Sequence, residues 1–176
     1  MLKINLDDNI FNVFEENEIQ TKEIKKEVLN KEIKKEIKNK VKNIINEAIK
    51  EEGLDKKNIY VNIEAVTKEE IRDLNNRYRG IDKSTDVLSF PIFEINELED
   101  IREGKSKINE LEIGDIFLCL DVIKTQSIEY KTGIKRELLY MITHGVLHLL
   151  GYDHIDENDK KIMRVKEEKI LKKGDI

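Results

Sequence analysis

Four short segments of the chain have the hydrophobic pattern of β-strands. Residues 2–7 (LKINLD) and 58–66 (NIYVNIEAV) alternate apolar and polar side chains, which is the period of a strand with one buried face. Residues 86–93 (DVLSFPIF) and 113–121 (IGDIFLCLD) are more continuously apolar. Pro91 is the only proline and suits a strand end or a sheet edge, because it lacks the N–H that a central strand needs. The pattern therefore predicts four strands.

Longer segments between these strands repeat apolar residues at steps of three and four, which is the period of a helix. Thr67 and Glu70 have the spacing of a capping box, and Asp156 is a typical N-cap residue. Gly53 provides a stop for the first helix. The five predicted helices cover about Glu18 to Glu52, residues 67–80, 122–130 and 134–150, and a last segment that opens at Asp156.

Strands and helices are interleaved along the chain, which predicts an α+β fold class. We expect a small mixed four-stranded β-sheet packed with about five helices, in a single domain over residues 1–176. The helix at 134–150 is apolar on most sides and is expected to be deeply buried. Residues 94–112 are acidic and irregular in pattern, and an exposed loop is expected there.

Composition and charge narrow the classes of function. The chain has 32 basic and 37 acidic side chains and a net charge of −5, so any contact with RNA must come from a local patch. No apolar run approaches the length of a membrane span, and the first residues lack the apolar stretch of a secretory signal. Cys119, the single cysteine, excludes an internal disulfide and is expected mid-strand in the core. We expect a soluble, reduced, cytoplasmic protein with no membrane partner.

All three histidines of the chain lie in one segment of eleven residues, HGVLHLLGYDH. His144 and His148 are four residues apart, so a helix places them on one face. Gly151 can end that helix in a left-handed turn, after which the chain can return His154 toward the other two. Three imidazoles suit Zn²⁺, and also Ni²⁺ or Cu²⁺. Three protein ligands leave a fourth position for water, which is the arrangement of a catalytic metal site.

The same histidine spacing occurs in metallopeptidases of the H-E-x-x-H-x-x-G-x-x-H type. In those enzymes the glutamate after the first histidine is the general base. The corresponding residue here is Gly145, which argues against peptidase chemistry but leaves the metal site intact. A glycine at this position also indicates a close approach to the helix, or tight packing against it.

The histidine segment closely resembles the HGxLHLxGYDH signature of the YbeY-type endoribonucleases, a family of ribosomal RNA maturation factors. LNNRYRGIDKSTDVLSFP resembles the second characteristic segment of that family, and IGDIFLCLDV and RELLYMITHG fit the stretches between. The resemblance covers roughly residues 60 to 155. It implies a cytoplasmic, metal-dependent hydrolase that cuts single-stranded RNA, matures the 3′ end of the small-subunit (16S) ribosomal RNA and acts in ribosome quality control.

The resemblance also implies site residues and partners. His144, His148 and His154 would bind one Zn²⁺ per chain, with His144 counted among the catalytic residues, and Arg79 would be the arginine that the family places in the same cleft. Arginine suits this role because its planar fork can hold two phosphate oxygens, although a surface cation at a helix C-terminus is an alternative. The implied partners are single-stranded rRNA, the ribosome or its small subunit, and associated proteins.

Four further residues are weaker candidates for the site. Glu137 is seven residues before His144 on the same helical face and could orient a ligand, but it also suits the first turn of a helix. Asp153 adjoins a candidate ligand, although aspartate is also an ordinary turn residue. Thr85 and Asp86 belong to the TDVLSFP segment and either line the cleft or open the strand.

Two mechanisms and two rival functions stay open from the sequence. A metal-activated water could attack the phosphodiester, or the metal could activate the neighbouring ribose 2′-OH, while the arginine stabilises the phosphate charge. The first rival is a ribosome-biogenesis factor that acts by binding RNA and uses zinc only as a structural staple. The second rival is a metallopeptidase without the usual glutamate base.

Overall fold

The centre of the computed structural model is a mixed β-sheet, and the structure describes residues 1–15, 23–154 and 156–174. Its strands run in the order β1-β2-β4-β3 across the sheet. β1, β2 and β4 are parallel, whereas β3 pairs antiparallel with β4 and so forms an edge of the sheet. The strands are β1 (Leu2–Leu6), β2 (Asn58–Ala65), β3 (Val87–Pro91) and β4 (Glu110–Leu118).

Helices occupy most of the rest of the described chain, and a short 3-10 helix at Asp8–Phe11 follows β1. The α-helices are α1 (Asn12–Glu15), α2 (Glu23–Glu51), α3 (Lys68–Arg79), α4 (Ile95–Arg102), α5 (Leu120–Glu129), α6 (Ile134–Leu149) and α7 (Glu157–Lys173). Within the described residues, no helix is both long and apolar enough to cross a membrane.

Helix α6 lies at the middle of the main hydrophobic core. It packs against β3 and β4 on one side and against α2, α5 and α7 on the others. Ten of its residues are buried, as its apolar pattern predicts. Because α6 is surrounded in this way, the position of its C-terminal end, where His148 is partly exposed between buried leucines, is determined by most of the molecule.

The opposite face of the sheet is only partly covered. Helix α3 packs there over a small cluster of buried side chains, Ile71, Leu88 and Cys119. Nearer to β1 the face is polar: the side-chain amide of Asn5 donates to Asn62, which donates in turn to Asp115. The sheet therefore has one face that packs on the main core and one face that is only partly covered.

The predicted fold class is confirmed: the protein has an α+β fold with a mixed four-stranded sheet. The five predicted helices are present among the described residues, although the expected start of the first, at 18–22, lies outside them. The capping box of Thr67 and Glu70 forms, and Asp156 caps the last helix. Pro91 ends β3 at the sheet edge, as its missing N–H predicts.

The prediction of an exposed loop at 94–112 is wrong for most of that segment. Helix α4 forms there, because Glu94 and Glu97 make a capping box and because Leu98 and Ile101 lie three residues apart on one buried face. The strand after it begins at Glu110, earlier than the predicted 113, because residues 110–112 pair with β2.

The predicted end of the fourth strand also needs correction. β4 stops at Leu118, and Cys119 is the N-cap of α5. Cys119 is fully buried, as expected for a core residue, but it does not lie mid-strand. The continuous hydrophobicity of residues 113–121 suits a buried strand and the buried start of a helix equally well. This pattern alone therefore does not locate the boundary between β4 and α5.

Candidate metal centre

Helix α6 and the turn that follows it bring the three histidines together. His144 and His148 lie one turn apart on the helix, and their Nε2 atoms are 3.0 Å apart. The helix then ends: Gly151 has a φ of 89°, and the backbone N–H of Tyr152 donates to the carbonyl of Leu147 at 3.0 Å. This positive φ turns the chain back toward the helix, which is a conformation that glycine adopts without strain.

The returning chain places His154 beside the two helical histidines. Its ring centre is 5.4 Å from that of His144 and 5.0 Å from that of His148. One nitrogen of each ring lies within 4.8 Å of the others. Three neutral imidazole nitrogens gathered in this way are a suitable donor set for Zn²⁺ or a neighbouring transition metal, so the residues present fit a bound metal ion.

A buried glutamate orients the first of these rings. Nδ1 of His144 lies 2.7 Å from Oε1 of Glu167, and the hydroxyl of Tyr140 donates to the other oxygen of that carboxylate at 2.9 Å. Glu167 is only 3% exposed. A carboxylate that accepts a hydrogen bond from the Nδ1–H leaves Nε2 of His144 with its lone pair available to a metal ion, and Nε2 is the atom that faces His148.

The electrostatic environment keeps His148 neutral. Burial lowers its pKa to about 4, and the neighbouring His144 and His154 act in the same direction. Its imidazole lone pair is therefore not protonated at neutral pH. Burial also raises the pKa of Tyr140, and so does the adjacent Glu167, so this hydroxyl remains a hydrogen-bond donor.

The histidines form one end of a cleft with a volume of about 750 Å³. The cleft extends along the edge strand β3 to the C-terminal end of α3, where Arg79 lies exposed in the last helical turn. Its lining residues are Tyr78, Arg79, Thr85–Pro91, Phe93, Glu94, Ile95, His144, His148 and Gly151–His154.

Local contacts fix the end of α3 that carries Arg79. Gly80 adopts a φ of 69° and ends the helix, with its N–H directed to carbonyls of the last turn. Arg72 and Asp82 form a two-bond ion pair at 2.6 and 2.9 Å, which ties the following loop back to the helix. The side-chain amide of Asn75 donates to the carbonyl of Lys83 at 2.7 Å.

Thr85 and Asp86 both line the cleft, and hydrogen bonds occupy the carboxylate of Asp86. One oxygen accepts from the Thr85 hydroxyl at 2.9 Å and from the Val87 N–H at 2.8 Å, and the other accepts from the Gln126 amide at 2.8 Å. Asp153 also lines the cleft, and it accepts from the backbone N–H of His154 at 2.7 Å. These contacts shape the cleft wall and the turn that carries His154.

The structure does not bring Glu137 to the cleft. Its carboxylate is buried in the first turn of α6 and accepts a hydrogen bond of 2.6 Å from the hydroxyl of Thr132. Glu167 is the carboxylate that contacts His144, and no motif pointed to it. It lies 23 residues beyond the histidine on α7, among many other glutamates.

Gly145 faces the sheet. A Cβ at this position would lie 3.0–3.1 Å from the side chain of Ile116 and 3.1 Å from Oγ of Ser89. The glycine therefore allows α6 to approach β3 and β4 closely. In the peptidase motif this position holds the glutamate that acts as general base, whereas here it holds a glycine that packs against the sheet.

The loop that bears His154 is fastened by a second buried carboxylate. Glu52, at the end of α2, accepts from the hydroxyl of Tyr152 at 2.7 Å and from Nζ of Lys166 at 2.8 Å, and it pairs with Arg102 at 2.9 Å. Arg102 also donates to a main-chain carbonyl of the same loop. Sequence reasoning missed this cluster because its members come from four distant segments.

Comparisons with known proteins show which family this sequence resembles. Residues 19–175 match the sequence family described as Endoribonuclease YbeY. Endoribonuclease YbeY of Clostridium perfringens (strain SM101 / Type A) is 41% identical over 178 residues, which cover 96% of this chain and 95% of that protein. The protein of the same name from Thermoanaerobacter sp. (strain X514) is 44% identical over 141 residues, which cover 77% and 86%.

A solved structure supports the fold as well. The solution structure of TM1509 from Thermotoga maritima is similar to this chain, with a TM-score of 0.54 and 27% sequence identity. The alignment covers 99% of this chain and 89% of that one. The histidine segment, the fold around it and the match over nearly the whole chain lead to one conclusion: this protein belongs to the YbeY endoribonuclease family.

Proposed function

We propose that this protein is a metal-dependent endoribonuclease that cleaves single-stranded RNA in the cleft between α6, β3 and α3. The observation that carries the proposal is the convergence of three imidazole nitrogens within 4.8 Å at one end of a cleft that also contains an exposed arginine. Relatives that are 41–46% identical bear the name endoribonuclease, which supports the reaction class.

His144, His148 and His154 would hold one metal ion per chain, with zinc as the first candidate and nickel or another transition metal as alternatives. When bound, the ion would supply Lewis-acid stabilisation of phosphate charge and activation of water or of the ribose 2′-OH. Glu167 would keep the His144 ring in the tautomer that presents Nε2, as its 2.7 Å contact with Nδ1 indicates.

Arg79 would bind the phosphate that is cleaved. Its guanidinium is always charged and can place two N–H groups on phosphate oxygens, where negative charge grows during cleavage. The ordered end of α3 supports this role, because a guanidinium on a fixed turn needs little reorganisation. In this proposal His144 and Arg79 are the catalytic residues from the two sides of the cleft.

The cellular role follows from the family resemblance. The substrate would be the 3′ end of the 16S ribosomal RNA, the partners would be the small ribosomal subunit and its associated proteins, and the site of action would be the cytoplasm. A role in ribosome quality control belongs to the same proposal. The net charge of −5 supports delivery of the RNA by such partners, since the protein as a whole does not attract phosphate.

A paired measurement tests the proposal. Wild type and His144→Ala are purified in parallel, metal content is measured, and single-stranded 16S rRNA fragments are incubated with each. We expect near one metal ion per chain in the wild type, and RNA cleavage that is lost in the variant. Analysis of the RNA ends then separates the two nucleophiles, because a 2′,3′-cyclic phosphate marks attack by the ribose 2′-OH.

Equal trace cleavage by both preparations would overturn the nuclease proposal and indicate a contaminating enzyme. If the wild type then still bound metal, and its removal lowered thermal stability, a binding factor with a structural metal would become the better account.

A further inference from the structure

Tyr78 presents a largely exposed aromatic ring to the cleft. It lies in the last turn of α3, next to Arg79, and 61% of its surface is accessible to solvent. Its side chain lines the same cleft as the three histidines. An aromatic ring this exposed at the wall of a cleft, beside a candidate phosphate-binding arginine, is placed to contact a flat apolar group.

Two further aromatic rings support Tyr78 from the sheet. Its ring centre lies 4.9 Å from that of Phe90 with an interplanar angle of 69°, and Phe90 lies 5.6 Å from Phe117 at 76°. Both pairs have the edge-to-face geometry that aromatic rings favour. Since β3 and β4 fix the two phenylalanines, the tyrosine ring is held in place before any ligand arrives, which reduces the entropy lost on binding.

The charges of the cleft leave little room for purely electrostatic binding of RNA. Among the lining residues that the structure describes, Arg79 is the only arginine or lysine, whereas Asp86, Glu94 and Asp153 are carboxylates. Neutralisation of phosphates by lysine or arginine side chains can therefore contribute little affinity at this site. Unpaired bases offer another source of binding affinity, because their flat faces stack on aromatic side chains regardless of sequence.

The other aromatic residues of the cleft have different partners. Tyr152 donates its hydroxyl to Glu52, and Nζ of Lys166 lies 4.5 Å from its ring centre. Phe93 packs against the main core. Tyr78 is thus the exposed aromatic ring among the described lining residues.

We propose that Tyr78 is a stacking platform for an unpaired base of the RNA, one that neighbours the phosphate held by Arg79. This inference rests on the proposed endoribonuclease function and adds a base-binding subsite to it. It also gives a physical reason for preferring single strands, since a base inside a duplex is already stacked and cannot lie against the tyrosine.

Tyr78→Leu and Tyr78→Phe separate stacking from simple bulk. Each variant is compared with wild type for binding and cleavage of single-stranded oligoadenylate and oligouridylate. Tyr130→Leu is the matched control, because Tyr130 is 62% exposed and lies outside the cleft. We expect Tyr78→Leu to weaken binding by about 5- to 150-fold, the range found when one base loses its aromatic partner. KM should rise by more than kcat falls, and oligoadenylate should lose more affinity than oligouridylate.

Tyr78→Phe should restore binding to near the wild-type value, because it keeps the ring. Metal content and thermal stability, measured on every variant, show whether the fold and the histidine cluster are intact. Equal affinities for Tyr78→Leu, Tyr130→Leu and wild type would overturn the stacking subsite, even if the wild type cleaves RNA. If RNA binding depends on Tyr78 but the wild type cleaves no RNA, the base-binding subsite is supported and the proposed endoribonuclease activity is refuted.

Discussion

At the scale of single residues, the geometry of the candidate metal site depends on the contact between His144 and Glu167. The carboxylate is almost fully buried, and its two oxygens contact the histidine and the hydroxyl of Tyr140. A neutral histidine in this contact donates from Nδ1, so its tautomer is set by a residue on another helix. Spacing along α6 brings His144 and His148 to one face. Glu167 on α7 determines which nitrogen of His144 keeps its lone pair available for a metal ion.

Glu167→Gln should therefore weaken metal binding. An amide is a poorer acceptor for the Nδ1 proton than a carboxylate, and loss of such a partner typically lowers metal affinity by about 10- to 100-fold. Competition with a chelator of known affinity measures the change. Glu168→Gln is the control, because that side chain is exposed and pairs only with Arg164 among the described residues. Identical affinities for both variants would show that Glu167 has only a packing role.

Arg79→Ala should reduce cleavage without removing the metal. Loss of one donor to a developing negative charge costs on the order of 10²–10³-fold in rate, so we expect a fall of that size in kcat/KM with unchanged metal content. Arg77→Ala is the matched control, since it removes an exposed arginine from the same helical turn but outside the cleft. If both variants lose activity equally, Arg79 acts as one of several surface cations.

At the scale of elements, the turn after α6 is held in place by its neighbours. Its return brings His154 to the other two histidines, and Glu52 links it to α2, α4 and α7 at once. Side-chain exposure is 6% for Glu52, 24% for Arg102 and 26% for Lys166. A carboxylate buried to this extent between two cations leaves both of them poorly solvated if it is removed.

Glu52→Ala should lower stability and loosen the histidine cluster together. The two cations retain partial access to solvent, so we expect a loss of about 1–3 kcal/mol in the free energy of unfolding. Urea denaturation of the metal-free protein measures this loss, and metal titration should show weaker binding because His154 is less well positioned. Glu51→Ala, whose partners Lys169 and Lys173 are more exposed, serves as the control for both measurements. A stability loss with unchanged metal affinity would separate Glu52 from the site.

Helices with strong local signals were predicted well, and the region before β4 was not. Thr67, Glu70 and Gly80 determine the ends of α3 through contacts within a few residues. Helix α4 has a capping box of Glu94 and Glu97, but it has only eight residues and many charges, so it also depends on the burial of Leu98 and Ile101 against the rest of the protein. Short segments of this kind gain their stability from tertiary packing, which no local pattern contains.

At the scale of the whole molecule, the balance of charge governs how RNA reaches the cleft. The protein carries a net charge of −5, and the described cleft walls hold one arginine beside several carboxylates. Long-range attraction of a polyanion is therefore weak. Affinity must come from short-range contacts in the cleft or from partners that present the RNA.

This charge distribution predicts a shallow dependence of RNA binding on salt. Each phosphate neutralised on a single strand contributes about −0.7 to the slope of log affinity against log salt concentration, so one arginine predicts a slope near −0.7. Binding of single-stranded oligoadenylate measured over a series of salt concentrations provides the value. A slope steeper than about −3 would place the RNA on a lysine-rich surface such as that of α2 and would contradict binding in the cleft alone.

The sequence by itself determined the local features of this protein. Four strands, the long helices, their caps and the spacing of His144 and His148 all depend on residues that are close along the chain, where period and cap chemistry act directly. The spacing of the three histidines also predicted a metal site, and the family resemblance added the expectation that Arg79 lies in the same cleft. Each of these inferences needs only short-range information or a recognised motif.

Tertiary structure alone decided which distant side chains meet. Glu167 reaches His144, Glu52 fastens the turn of His154, and Tyr78 faces the cleft only because helices from separate parts of the chain pack on one sheet. The physical reason is that such contacts are set by burial of the apolar faces, and charged or aromatic side chains follow wherever that packing places them. The same glutamates on a differently packed helix would be ordinary surface charges.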